Sequence, residues 1–140
     1  MNINYRKISP KAKAPMKGTA GAAGFDLTAD SLEILLGGVY CYGSGIAMEI
    51  PPGHVGLLFP RSSVAGTSLI LANCVGVIDS DYRGEIKAKF REVQGLQKRY
   101  SVGERFCQLV IMKIPDVSFN EVDSLVESAR GEGGFGSSGN

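Results

Sequence analysis

Histidine is all but missing from this chain. His54 is the only one among 140 residues, in the run PPGHVGL, and a lone histidine at the start of a strand-like run reads as structural. Its isolation argues against a histidine-based catalytic triad and against a zinc site. Cysteine is sparse too: Cys41, Cys74 and Cys107 are odd in number, form no C-x-x-C pair and sit among apolar neighbours. They are expected to be small buried core residues in a reducing compartment. Net charge is also lacking, at +1 from 15 basic and 14 acidic residues, which gives no general affinity for nucleic acid or for a membrane surface. Partners must be chosen by a site rather than by a field. No apolar run approaches the ~20 residues of a membrane span, and the opening MNINYRKISPKAK stays polar where a signal peptide turns apolar. A soluble, intracellular, cytoplasmic protein is expected.

Long helical patterns are absent as well, and short β-rich runs take their place. Candidate strands are 2–8, 24–28, 32–36, 38–42, 45–50, 54–59, 68–72, 75–78, 84–93, 108–114 and 118–122, punctuated by 19 glycines and 6 prolines. That spacing predicts an all-β fold, a sandwich or barrel of short antiparallel strands. At most one short helix is expected, a turn or two around 62–67. At this length the chain is one domain, here 1–127, followed by a glycine-rich arm over 128–140.

The stretch VGVIDSDYRGEI over 75–86 concentrates chemistry in a turn between two strand-like runs. Ile86, Ala88 and Phe90 alternate with Lys87, Lys89 and Arg91, as in a half-buried strand, and the whole reads as a β-hairpin with an acidic tip. Asp79, Ser80, Asp81, Tyr82 and Glu85 suit a site that orients a water or a hydrated cation. A solvated turn is the plainer reading, but solubility alone would not call for Tyr82. In PRSS over 60–63, proline stops a strand and leaves Arg61, Ser62 and Ser63 at the start of a short helical turn. This is either an anion site or a simple helix cap with Arg61 solvated. Gln108 follows GERFC on a strand, where it is either buried with a polar partner or facing solvent. In that segment Gly103 reads as turn chemistry, Glu104 and Arg105 as a local ion pair, and Phe106 and Leu109 as core.

VIDSDYRGEI resembles the third signature of the deoxyuridine triphosphate nucleotidohydrolases, the dUTPases of trimeric type. The other signatures follow in the family's order: AGFDL at 23–27, PRSS at 60–63, GERFCQL at 103–109 and RGEGGFGSSG at 130–139. The resemblance implies a jelly-roll β-sandwich. It also implies hydrolysis of dUTP to dUMP and pyrophosphate by water attack at the α-phosphorus, which lowers dUTP and supplies dUMP for thymidylate synthesis.

By the same resemblance Asp79 orients the attacking water, while Asp81 and Glu85 are structural. Arg61, Ser62 and Ser63 bind phosphate oxygens, and Gln108 lies near the water and the α-phosphate. Asp26 lies near the phosphates, holding the arginines or the waters around the metal, and Phe25, where the family commonly has Tyr, is left to packing. Asn73, with the backbone of Gly76, Val77 and Ile78, grips the uracil edge. Tyr82 lies against the deoxyribose, and Lys87 is either a nucleotide contact or a solvent-exposed residue. In the arm, Arg130 clamps the terminal phosphate and Phe135, Gly136 and Ser137 close over the base, where stacking is worth ~1–3 kcal/mol. Taken alone, the same stretch reads as a disordered tail. Mg²⁺ is the implied cofactor, bound through the triphosphate and waters with no carboxylate cage. The implied assembly is a homotrimer with shared sites.

Two alternatives stay open. A dCTP deaminase of the same fold would want an arginine soon after Ser63 and a nearby catalytic glutamate, where Val64, Ala65 and Gly66 stand. A regulator of the same fold would bind nucleotide or a protein partner as a switch.

Overall fold

A computed structural model of the chain describes residues 1–93 and 98–134. Ten strands form in chain order: β1 (Tyr5–Lys7), β2 (Phe25–Thr28), β3 (Ser31–Leu35), β4 (Val39–Gly43), β5 (Ile46–Met48), β6 (His54–Pro60), β7 (Leu69–Leu71), β8 (Gly76–Ile78), β9 (Lys87–Glu92) and β10 (Arg105–Lys113). One 3-10 turn, Ser62–Gly66, follows β6. All pairings are antiparallel. One sheet runs β2-β10-β6-β8, a second runs β3-β4-β9-β7, and β1 pairs with β5. This is the all-β architecture expected from the spacing of the runs, and the jelly-roll-like form that the resemblance implies. Among the described residues no helix is long and apolar enough to cross a membrane.

Side-chain alternation explains the core. On β9, Ala88 and Phe90 turn inward while Lys87, Lys89 and Arg91 turn out, as a period of two requires. Phe90 joins Leu27, Tyr42, Ile46, Leu58 and Phe106 in the buried cluster. Tyr42 sits at its centre, edge-on to Phe90 at 5.6 Å and stacked on Phe106 at 5.6 Å. Its hydroxyl donates to the Tyr100 carbonyl at 2.9 Å, so this buried phenol keeps a partner. Gly56 lets β6 lie close to its neighbours, because a Cβ there would meet Ile50 at 2.7 Å and Ile78 at 3.1 Å.

Four expectations need correction. The acidic stretch is not a hairpin: β8 pairs with β6 and β9 pairs with β4 and β7, so the loop between them crosses from one sheet to the other. The 118–122 run forms no strand among the described residues: all five residues are exposed, so no buried face holds the run to a sheet. Phe119, Leu125 and Val126 nearby are almost wholly exposed. Cys74 is exposed, unlike the buried Cys41 and Cys107, and its φ of 60° lies in the left-handed region between β7 and β8. Phe25 is partly exposed, with the Lys17 ammonium 5.3 Å from its ring centroid, rather than packed in the core. His54 fits its structural reading, with Nδ1 3.1 Å from the Pro52 carbonyl at the start of β6.

Candidate active site

The cationic end of the molecule is built by strand register. β10 lies between β2 and β6, which puts Gln108 opposite Asp26 on one side and Phe59 on the other. Arg61 leaves the end of β6 and Arg105 opens β10, so both guanidinium groups reach the middle of β2. There Asp26 Oδ1 accepts from Arg61 Nε at 2.9 Å, and Oδ2 accepts from Arg105 Nη1 at 2.9 Å. A buried carboxylate is tolerated because it is paired on both oxygens. Two cations on one anion leave an excess positive charge, held at the mouth of a cleft of about 450 Å³.

The same cleft is lined by Ser63, Lys98, Arg99 and Tyr100. Arg61 Nη1 also reaches Ser63 Oγ at 3.4 Å, and Ser63 Oγ lies 3.1 Å from the Tyr100 hydroxyl. Arg61 caps the 3-10 turn in extended conformation, with no side-chain cap bond; its side chain is committed to Asp26 instead. Ser62 is exposed at the start of that turn. Gln108 is half-buried and donates from Nε2 to the Pro60 carbonyl at 3.1 Å. Gly24 lets its segment lie close to β10, since a Cβ there would stand 3.2 Å from the Leu109 carbonyl and from Val110 Cγ2. Fixed guanidinium groups, lysine ammonium groups and hydroxyls lining one cleft suit an anion with several oxygens.

The acidic loop is a second, separate cluster. It leaves β8 at Ile78, and Tyr82 N–H donates to the Asp79 carbonyl at 3.2 Å to close a turn. Arg83 Nη1 donates to the Ser80 carbonyl at 2.7 Å, and the Tyr82 hydroxyl donates to the Glu85 carbonyl at 3.0 Å. Gly84 is needed here, because a side chain would strike the Tyr82 ring. Glu85 Oε1 accepts from Gly45 N–H at 2.8 Å and Oε2 pairs with Lys87 at 3.2 Å, so Glu85 anchors the loop. That pairing raises the Lys87 pKa and leaves Lys87 facing its own loop. Asp79 and Asp81 are exposed, and among the described residues the Asp79 carboxylate has no side-chain partner.

The two clusters do not meet within one chain. Ile78 pairs with Gly56, five residues of strand before Arg61, which at about 3.3 Å per residue sets them roughly 16 Å apart. Arg61 moreover points toward β2, at one edge of that sheet, away from β8, at the other. Val77 and Asn73 are exposed along this edge, with Gly76 buried between them. Arg130 lies far along the exposed segment after β10, donating from Nε to the Gly133 carbonyl at 2.7 Å. Phe135, Gly136 and Ser137 lie outside the described residues.

Two cleft residues escaped the sequence reading. Arg105 does not pair with Glu104, whose carboxylate instead accepts from Ser101 N–H at 2.7 Å; its partner Asp26 is 79 positions away. No local pattern carries such a pairing. Tyr100 has no motif around it, and only its position in the fold brings it to Ser63.

Similarity agrees with this geometry. The dUTPase family model matches residues 10–139. The deoxyuridine 5'-triphosphate nucleotidohydrolase of Escherichia phage T5 is 44% identical, covering 89% of this chain and 90% of its own. That of Corynebacterium diphtheriae is 40% identical over 98% of this chain and 92% of its own. A mutant of the Staphylococcus bacteriophage 80alpha dUTPase, solved with dUpNHpp, superposes with a TM-score of 0.82 at 26% identity over 99% of both chains. With the Asp26 clasp and the acidic loop each carried on a stretch of that match, this chain belongs to the dUTPase family.

Proposed function

We infer that this chain hydrolyses dUTP to dUMP and pyrophosphate. The observation that carries the reading, beside family membership, is the Asp26 carboxylate holding Arg61 and Arg105 at the mouth of a cleft that also contains Ser63. In phosphoryl chemistry the protein contributes positioning and charge neutralisation more than covalent work. Guanidinium groups already fixed by Asp26 need little reorganisation when phosphate oxygens arrive. Ser62, Ser63 and Gln108 supply further hydrogen bonds to those oxygens. Asp79 accepts a hydrogen bond from the attacking water and aims its oxygen at the α-phosphorus; pyrophosphate is the leaving group.

Uracil selection belongs to β8. As an edge strand it has outward backbone groups that its own sheet does not use. Groups around Gly76, Val77 and Ile78 can pair with the two carbonyls and the ring N–H of uracil, with Asn73 beside them. Cytosine exchanges a donor for an acceptor along that edge and is rejected. Tyr82, held by the Glu85 carbonyl, faces the sugar and excludes a 2′-hydroxyl.

Both oxygens of Asp26 are engaged by arginines, so Asp26 serves the guanidinium groups rather than a metal. Mg²⁺ fits as a companion of the triphosphate, held by phosphate oxygens and waters, where it neutralises charge.

The separation of the two clusters supports a homotrimer in which Asp79 of one subunit serves the Arg61 cleft of another. Exposed apolar side chains at Ile34, Ile70, Val77 and Met112 support association. The arm over 128–140 would then close over the site, with Arg130 on the terminal phosphate and Phe135, Gly136 and Ser137 at the base. The test is pyrophosphate release from dUTP with dCTP, dTTP and UTP in parallel, with Mg²⁺ and with a chelator. Release from dUTP alone, dependent on Mg²⁺, is the expected result; no release from dUTP, or equal release from dCTP, overturns it.

A further inference from the structure

The Ser63 hydroxyl stands between two hydrogen-bond partners, Arg61 and Tyr100. A hydroxyl oxygen can accept two hydrogen bonds and donate one. Arg61 Nη1, 3.4 Å away, can only donate. The Tyr100 hydroxyl, 3.1 Å away, has Ser63 Oγ as its hydrogen-bond partner among the described residues. Either hydroxyl of this pair can donate to the other, and the phenol, whose pKa burial raises, has a proton to give. With Tyr100 as the donor, both neighbours of Ser63 donate and its acceptor capacity is filled. In that arrangement the one proton of Ser63 points into the cleft, which is what an acceptor-only phosphate oxygen there requires.

Tyr100 is also placed too firmly to adapt. It is buried, its ring lies edge-on to Tyr42 and to Phe90 at 6.2 Å each, and its carbonyl is held by the Tyr42 hydroxyl. Only the hydroxyl end reaches the cleft. We propose that Tyr100 is a positioning residue of the phosphate site, donating to Ser63 so that Ser63 in turn donates to a phosphate oxygen of the substrate. An ionised phosphate oxygen, which only accepts, is the complement of such a group. This rests on the reading of Ser63 as a triphosphate contact.

A double-mutant cycle separates the two ideas. Tyr100→Phe keeps the ring and its packing and removes one hydroxyl; its kcat/KM for dUTP falls about tenfold, the size of one hydrogen bond, with the melting temperature nearly unchanged. Ser63→Ala lowers kcat/KM by at least as much. Adding Tyr100→Phe to Ser63→Ala then changes nothing further. Equal losses from Tyr100→Phe in both backgrounds would mean that Tyr100 does not act through Ser63, and no loss in the wild-type background would also overturn the proposal. If Ser63→Ala itself has normal kcat/KM, the phosphate role of Ser63 fails first, and the proposal with it.

Discussion

Asp26 is where the charge of the cleft is decided. Its two oxygens each take one guanidinium, so replacing it with asparagine removes the negative charge and leaves a single acceptor for two arginines. A hydrogen bond to a charged group is worth about 1.5–3 kcal/mol. Asp26→Asn should therefore lower kcat/KM for dUTP about 10–100-fold, with a raised KM as Arg61 and Arg105 lose their fixed positions. Steady-state kinetics on the folded variant checks this; an unchanged KM would mean that the arginines do not need the clasp. Asp79 predicts the opposite split. Asp79→Asn should keep affinity for a non-hydrolysable dUTP analogue while kcat falls by about 10²–10⁴, the range of a lost general base. Near-normal turnover would remove Asp79 from the chemistry. At this scale the sequence marked Asp26, Arg61, Gln108 and Asp79 as candidates, because each stands in a short pattern that resembles the family, and the structure brings Asp26 and Arg61 together. Arg105 was misassigned and Tyr100 was invisible. Their partners are 79 and 37 positions away, and only β-sheet register and core packing bring them together.

Among the elements, the loop from β8 to β9 shows what periodicity can and cannot say. Alternation placed Ala88 and Phe90 inside and Lys87 and Lys89 outside, as found. It could not reveal that β8 and β9 belong to different sheets, because a hairpin and a crossover have the same local pattern. The 118–122 run was read as a strand from its local β-rich character, which is insufficient where no face of the run is buried. The loop itself is braced by Tyr82 against Glu85. Tyr82→Ala should thus raise kcat/KM for UTP relative to dUTP, and unchanged discrimination in competition assays would count against the sugar contact. Tyr42, at the centre of the strand packing, gives an alkaline prediction. Burial pushes its pKa up from 10.0 to about 12, so the fold favours the protonated phenol. Its contribution is intact below pH 10 and is lost as pH rises from 10 to about 12. Over that window the loss is on the order of 2–3 kcal/mol. Tyr42→Phe should be less stable at neutral pH by about 1 kcal/mol, for the bond to the Tyr100 carbonyl, yet decline less steeply above pH 10. Tyr100, shifted in the same direction, retains part of the slope. Denaturant unfolding across this range decides it, and parallel declines for the two proteins would be the contrary outcome.

For the whole molecule, the question is how a chain with its cations at one end of β6 and its acidic loop at the other performs one reaction. A single-chain site would have to close roughly 16 Å of rigid strand, which a seven-residue β6 held in the middle of its sheet cannot do. The proposed association would solve the problem by placing the loop of one copy over the cleft of the next, and it would also cover apolar residues such as Ile70 and Val77. Complementation makes this measurable. Arg61→Ala and Asp79→Asn chains should each be nearly inactive alone. Unfolded together in equal amounts and refolded, they would reassort at random. If each site draws Arg61 from one subunit and Asp79 from another, about a quarter of the sites in the mixture contain both wild-type groups, and activity recovers to that level. A site made within one chain predicts no recovery at all, because every chain in the mixture carries one lesion. Refolding each variant separately and then mixing should stay inactive while subunits do not exchange, which ties any recovery to assembly rather than to a trace of wild-type protein.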